Sequence, residues 1–174
     1  MNRHAVRTGA HASVLLSVTG VVAWTTGTAF VFPSLGPTAY LLASQRTRDR
    51  GRLARVVAGH VVGVAAGLLA YRTLAPGIVV TADLAARSPE LAAVVASGAC
   101  ALAVTSAAML ALDTVHPPAC ATTLIVALGL LPTLREGVFI TVAVVVLVAA
   151  HVATTRVSAR ASGKDSYAAT DNSR

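Results

Sequence analysis

The sequence predicts an all-α fold, a polytopic transmembrane helix bundle, and its composition and apolar runs lead to that prediction. Apolar residues make up 55% of the 174-residue chain and charged residues only 12%, whereas a soluble domain carries about 25% charged residues. Four apolar runs are long enough to cross a hydrocarbon core about 30 Å thick as helices. They lie at about 11–32, 54–75, 90–112 and 137–156. The lipid bilayer is therefore the first partner that the sequence implies.

Two shorter apolar runs, at about 37–45 and 119–131, follow the proline-bearing segments F-P-S-L-G-P and V-H-P-P. Proline breaks the hydrogen bonding of a continuing helix but suits the first turn of a new one. We therefore predict two half-helices that begin directly after the prolines. The order long, broken, long then occurs twice, which predicts pseudo-repeats at 11–75 and 90–156 within one transmembrane domain at 11–156.

The basic residues between the apolar runs indicate on which side of the membrane each loop lies. If both proline-bearing segments cross the bilayer, one face receives every Lys and Arg except Arg72, Arg87 and Arg135. If both segments re-enter and return, the basic residues are divided between the two faces. The positive-inside rule favours crossing segments, an inverted repeat and cytoplasmic termini. Re-entry remains the alternative, because a half-helix of about nine to thirteen residues covers only about 14–20 Å.

The termini and the charge pattern define the remaining segments and partners. Residues 1–10 are expected to be a cytoplasmic segment and residues 157–174 a disordered polar tail of a multi-pass cell-membrane protein. The net charge of +7 lies in loops without interleaved aromatic residues, so no nucleic-acid partner is expected. Cys100 and Cys120 lie in apolar runs, which predicts reduced core residues rather than a disulfide.

Small residues on the second long run predict close helix packing. Gly59, Gly63 and Gly67 recur at a spacing of four within G-H-V-V-G-V-A-A-G and therefore share one helix face. Such a face lets helix backbones approach closely in lipid. We therefore assign these glycines a structural role, and the same face is compatible with a homo-oligomer.

The stretch D-T-V-H-P-P places ionisable residues in apolar surroundings. An ionisable side chain at the centre of a membrane helix costs about 3 kcal/mol or more, so it needs a partner or water. Asp113 is either an acid at a helix end or a carrier of a coupled proton. His116 precedes Pro117, which favours extended backbone leading into the interior. His60 either bonds to a neighbouring carbonyl or forms a site with His116.

The predicted starts of the half-helices suit a small anion. Free N–H groups and the positive end of the helix dipole lie near Gly36–Thr38 and Pro118–Thr122. Hydroxyl and imidazole groups add donors without a strong fixed charge, which suits a monovalent anion that must bind and then leave. The expected binding residues are His116, His60, Thr38, Thr122, Thr123 and Gly36, and Pro117, Pro118 and Pro37 are expected to shape the site.

Metal binding and catalysis have less support than anion binding. His60, His116 and Cys120 lack a ligand spacing, so neither a metal nor another cofactor is expected. The sequence holds no nucleophile–base pair, paired carboxylates or phosphate loop, so we do not expect an enzyme. A membrane assembly or sensor subunit that does not transport remains the alternative to an anion transporter or channel.

The segment H-P-P-A-C-A-T-T-L-I-V-A-L-G, which begins at His116, resembles the signature of the HPP family of multi-pass membrane proteins. S-L-G-P-T-A-Y-L-L-A and R-V-V-A-G-H resemble two further elements of that family, so the resemblance covers about 30–155. The chain departs from the expected pattern at Pro37, Cys120 and Arg55. The family is described as having four transmembrane spans, and some members are associated with nitrite transport. The resemblance therefore implies nitrite or a similar anion as substrate.

Overall fold

The computed structural model describes residues 2–28, 30–45 and 49–171, with side chains through Ala159. Over these residues the chain forms helices and no strand. The helices are α1 Arg3–Thr26, α2 Leu35–Gln45, α3 Arg50–Leu74, α4 Pro89–Ala111, α5 Ala119–Ala127 and α6 Leu134–Asp171. Four of them, α1, α3, α4 and α6 as far as Ala159, are long and apolar enough to cross a membrane. The predicted bundle of four long spans and two short helices is confirmed.

The first helix lies earlier in the chain than its apolar run predicts. The Asn2 side chain accepts a hydrogen bond from the His4 N–H, so the helix starts within the expected segment 1–10. It ends before Gly27, which adopts φ 64° and donates its N–H to the Ala23 carbonyl. The predicted span 11–32 is therefore wrong at both ends, because these local caps, and not hydropathy, define the helix.

The last helix extends beyond its apolar run. Its backbone is helical to Asp171, whereas the sequence predicts a disordered tail at 157–174. Alanine, arginine and lysine in this stretch are strong helix formers, so helical hydrogen bonding continues past the apolar segment. Residues 172–174 lie outside the described residues.

The third helix is the centre of the bundle. In the most apolar 18 residues of α3, 56% are buried, compared with 17% in the same stretch of α1 and 33% in those of α4 and α6. Its neighbour α4 turns a stripe of small residues inward, where Ser97, Ala101 and Thr105 are 0% exposed. The Ser97 hydroxyl donates to the Ala127 carbonyl at 2.7 Å and so ties α4 to the end of α5.

The glycine face of α3 packs against α5 and the segment before it. Cβ atoms added to Gly59, Gly63 and Gly67 would lie within 2.9 Å of residues between 114 and 126. This face therefore packs closely, with the second half-helix as its partner. Because successive glycines meet successive residues of that segment, α5 runs in the same direction as α3.

The second helix runs in the opposite direction to α3. Thr38, near its start, contacts His60, and Gln45, at its end, accepts a hydrogen bond from Arg52. α2 and α5 therefore begin beside the same part of α3. From there the two helices run in opposite directions. These directions are those of an inverted repeat. The side of the membrane that each end faces stays a prediction.

Candidate functional site

Buried polar side chains meet where α2 and α5 begin. Thr38, His60 and Thr122 are 0% exposed and His116 is 5% exposed. His60 lies between two hydroxyl groups, with Nε2 3.1 Å from Thr38 Oγ1 and Nδ1 2.7 Å from Thr122 Oγ1. His116 Nε2 lies 3.2 Å from the same Thr38 oxygen. These four predicted binding residues form one hydrogen-bonded group, which we call the histidine–threonine cluster.

The local sequence explains how His116 reaches this cluster. The chain leaves α4 and turns at the prolines, where the His116 carbonyl accepts the Ala119 N–H at 2.9 Å. Gly59 has no side chain, so the Cβ of His116 can pack directly against α3. The His60 and His116 rings then lie 5.1 Å apart between centroids. The proline turn and the glycine together place both imidazoles in one site.

The first N–H groups of α5 are not free for an anion, contrary to the prediction. The N–H groups of Ala119, Cys120 and Ala121 donate to carbonyls three residues earlier, at 2.9 to 3.1 Å. A tight first turn satisfies these groups within the chain. The available donors near α5 are therefore side chains.

A cavity of 290 Å³ lies beside His116, between α2, α3 and the segment before α5. We call it the arginine cavity; its polar lining is Gln45, Arg52, Arg55 and His116. Arg52 is exposed, and 39% of the Arg55 side chain is exposed. The cavity thus connects two permanent positive charges near the surface to a buried imidazole. This combination attracts small anions and repels cations.

Two residues predicted to contribute to the site lie away from the cluster. Pro37 is exposed and Gly36 is partly exposed, with nothing within 4 Å of a Cβ added to Gly36. Both belong to the first turn of α2, from which Thr38 points inward. Neither Gly36 nor Pro37 lines the arginine cavity.

Thr123 and Asp113 lie beside the cluster in different surroundings. Thr123 Oγ1 is 2.9 Å from Thr105 Oγ1, so this residue joins α5 to α4. Asp113 follows α4 with φ 50°, and its carboxylate is 3.3 Å from Arg55 Nη1. The Asp113 side chain is 88% exposed, which fits the alternative in which Asp113 is an acid at a helix end. Its role as a proton carrier stays a prediction.

Two features of the structure have little signal in the sequence. In the sequence, Arg52 is only one member of a cluster of basic residues in a loop. Its place in the lining of the arginine cavity depends on how α2 packs against α3. A second histidine pair, His11 and His151, stacks between α1 and α6 with centroids 5.3 Å apart. His11 Nε2 also lies 3.0 Å from Thr154 Oγ1. Each histidine is isolated in its apolar run, and no spacing links the two.

The described residues include no group of three or more His, Cys, Asp or Glu side chains that could hold a metal ion. Both cysteines are free thiols. Cys120 is half-buried, but Cys100 lies exposed on α4, so the prediction that both are core residues is wrong for Cys100. A small side chain in an apolar run can face lipid as well as protein, and hydropathy does not distinguish the two.

His116, Pro117 and Pro118 form the turn between α4 and α5, and the first two of them line the arginine cavity. Residues 2–167 match the family described as HPP, transmembrane region. The chain belongs to this HPP family. No curated protein and no solved structure matches it. This HPP protein is thus a multi-pass membrane protein in which the histidine of the motif lies beside His60 and Thr38.

Proposed function

We propose that this HPP protein transports a small monovalent anion, with nitrite as the first candidate. The observation that carries the proposal is the cavity that connects Arg52 and Arg55 to His116. We choose nitrite as the candidate anion because some members of the family are associated with nitrite transport. The cavity chemistry supports an anion of this size and charge.

The charges of the cavity favour an anion over a cation. Arginine keeps its charge at every physiological pH and presents planar N–H donors to oxyanions. Arg55 shares its charge with Asp113, at 3.3 Å. Arg52 donates to the neutral Gln45 side chain at 3.2 Å, so its charge is not neutralised there. The mouth of the cavity therefore has a net positive charge.

The size of the cavity suits a small ion. Its 290 Å³ lies at the lower limit of pockets for drug-sized ligands, which are about 300–1,000 Å³. A triatomic anion and several water molecules fill such a volume. Two arginines at the mouth concentrate the anion, and His116 at the inner end supplies the last polar contact.

Passage beyond His116 requires a movement of the half-helices. His116 lines the cavity, and hydrogen bonds through Thr38 join it to His60. Separating the start of α2 from the start of α5 breaks these bonds and opens a path between them. Inverted repeats with broken helices move in this way around a central site in transporters.

Nitrite uptake by liposomes that contain the purified protein tests this proposal. We expect initial uptake at least tenfold above that of protein-free vesicles, and a loss of most of this uptake in the Arg52→Gln, Arg55→Gln double variant. Circular dichroism and a single size-exclusion peak establish that each protein is folded. Uptake by folded wild-type protein equal to that of protein-free vesicles would exclude transport of nitrite.

A membrane assembly or sensor subunit is the second candidate, and one observation favours it. The cluster is buried and its members are hydrogen-bonded to one another, which also suits a purely structural role. The His116→Ala variant separates the two candidates. A transporter loses flux and keeps its fold, whereas a structural subunit loses thermal stability or its partner.

A further inference from the structure

We infer that His116 binds one proton together with each anion, so that the transporter couples anion movement to proton movement. The inference rests on the proposed function and adds the proton as a second substrate. It follows from the hydrogen atoms available in the histidine–threonine cluster and from the charges that face the arginine cavity.

One arrangement of hydrogen atoms satisfies every bond of Thr38. The Ser34 carbonyl can only accept, so the Thr38 hydroxyl donates its one hydrogen to it, at 3.0 Å. Thr38 Oγ1 must then accept from both histidines, at 3.1 and 3.2 Å. A hydroxyl oxygen has two lone pairs, so it can accept both bonds. His60 and His116 therefore each carry a hydrogen on Nε2.

The second ring nitrogens of the two histidines differ. His60 Nδ1 faces the Thr122 hydroxyl at 2.7 Å, and a neutral His60 accepts that hydrogen. His116 Nδ1 has no partner among the described residues, and His116 lines the arginine cavity. His60 is thus fully paired within the cluster, and His116 has one nitrogen left for the contents of the cavity.

A neutral His116 presents a lone pair at Nδ1, which repels an anion. Protonation converts the same atom into an N–H donor with a positive charge. The proton comes from bulk solvent by way of water in the cavity, and the Nε2–H of His116 keeps donating to Thr38 Oγ1. One imidazole can therefore accept one proton and donate one hydrogen bond to the anion without disturbing the cluster.

The charges around the cavity make binding of the two ions cooperative. Arg52 and Arg55 face the cavity from α3, Asp113 pairs with Arg55, and α2 contributes the neutral Gln45. The His60 ring lies next to the His116 ring. A further positive charge on His116 is unfavourable beside the arginines until an anion offsets it. By linkage, the anion then favours protonation and the proton favours anion binding to the same extent.

Coupling of one anion to one proton makes transport electroneutral. In proteoliposomes, initial nitrite uptake above that of protein-free vesicles is measured under either an inward proton gradient or a potassium–valinomycin potential. We expect a tenfold proton gradient to raise this protein-dependent initial uptake by up to about tenfold. A potential of about 60 mV, which corresponds to tenfold accumulation of an uncoupled monovalent anion, is expected to have no effect. Uptake that follows the potential and ignores the proton gradient overturns the inference.

This measurement also separates the inference from the proposed function. Nitrite uptake driven by the potential leaves anion transport intact and removes proton coupling alone. No uptake under either gradient removes the proposed function itself. A trapped pH dye supplies the second readout, because coupled uptake acidifies the vesicle interior beyond the acidification seen in protein-free vesicles.

The His116→Gln variant tests the role of the imidazole. Glutamine keeps a neutral N–H donor but cannot take a proton, so the remaining uptake is expected to follow the potential and to lose its dependence on the proton gradient. His4→Gln is the matched control, because His4 is exposed at the start of α1. Proton coupling retained in a folded His116→Gln variant contradicts the inference. If that variant does not fold, the wild-type comparison of the two gradients still decides.

Discussion

The Thr38 hydroxyl lies 3.2 Å from His116 Nε2, although the two residues are 78 positions apart in the chain. This contact joins the first turn of α2 to the turn before α5 and so links the two halves of the bundle. The same oxygen lies 3.1 Å from His60 Nε2. Thr38 is therefore the point at which both half-helices and α3 meet.

Replacing Thr38 with valine is expected to destabilise the protein strongly. Valine keeps the shape of threonine but leaves the buried Nε2–H groups of two histidines without an acceptor, at about 1–3 kcal/mol for each group. Thr73→Val is the control, because the exposed Thr73 hydroxyl bonds only within its own helix. Thermal unfolding in detergent measures both variants. Equal stability of the two variants would contradict the role of Thr38 as a shared acceptor.

Gly63→Ala is expected to destabilise the packing of α3 against α5. The new Cβ would lie 2.8 Å from the Ala119 carbonyl oxygen and 2.9 Å from Thr123 Oγ1, and such overpacking costs about 1–3 kcal/mol. The same substitution at Gly20, where nothing lies within 4 Å, is the control. We expect Gly20→Ala to leave stability unchanged or raised by up to about 1 kcal/mol. A Gly63→Ala variant as stable as wild type would show that α5 does not pack on this face.

Asp113→Asn separates the two alternatives for the acidic residue. The Asp113 side chain is 88% exposed, so its ion pair with Arg55 contributes at most about 1 kcal/mol. Asparagine tolerates the positive φ of 50° at this position. We expect nitrite uptake to keep its dependence on the proton gradient and to change less than about threefold. Loss of that dependence would identify Asp113, and not His116, as the proton carrier.

Arg52→Gln is expected to slow nitrite uptake and to weaken its dependence on salt. Exposed charges attract ions over a Debye length of about 10 Å at 0.1 M salt, so the effect of Arg52 is largest at low ionic strength. Arg72, in the last turn of the same helix, provides the matched control. Initial rates are compared at low and high concentrations of an impermeant salt. A larger effect from Arg72→Gln than from Arg52→Gln would place the site of anion access at the other end of α3.

The helix bundle and the cluster could be predicted because their signals are local or strongly periodic. Apolar length indicates the four spans, and the four-residue spacing of glycines indicates the packed face of α3. His60 and His116 attract attention because each is an ionisable group in an apolar run. Their proximity agrees with the alternative in which His60 forms a site with His116.

The remaining features depend on caps and on tertiary packing. Hydropathy places the first span too late, because the Asn2 and Gly27 caps act on the backbone and add nothing apolar. Arg52 becomes part of a cavity only when α2 lies beside α3. The N–H groups of α5 are satisfied by the proline turn, which a general rule about helix starts does not reveal.

The central claim, that the arginine cavity is the anion site, is tested most directly by locating a heavy anion in the protein. Bromide is a small monovalent anion, and its anomalous scattering identifies it in crystals grown or soaked at saturating concentration. We predict a bromide peak inside the cavity, in contact with the His116 ring and on the side of Arg52 and Arg55. Bromide peaks elsewhere on the protein together with an empty arginine cavity would contradict the account.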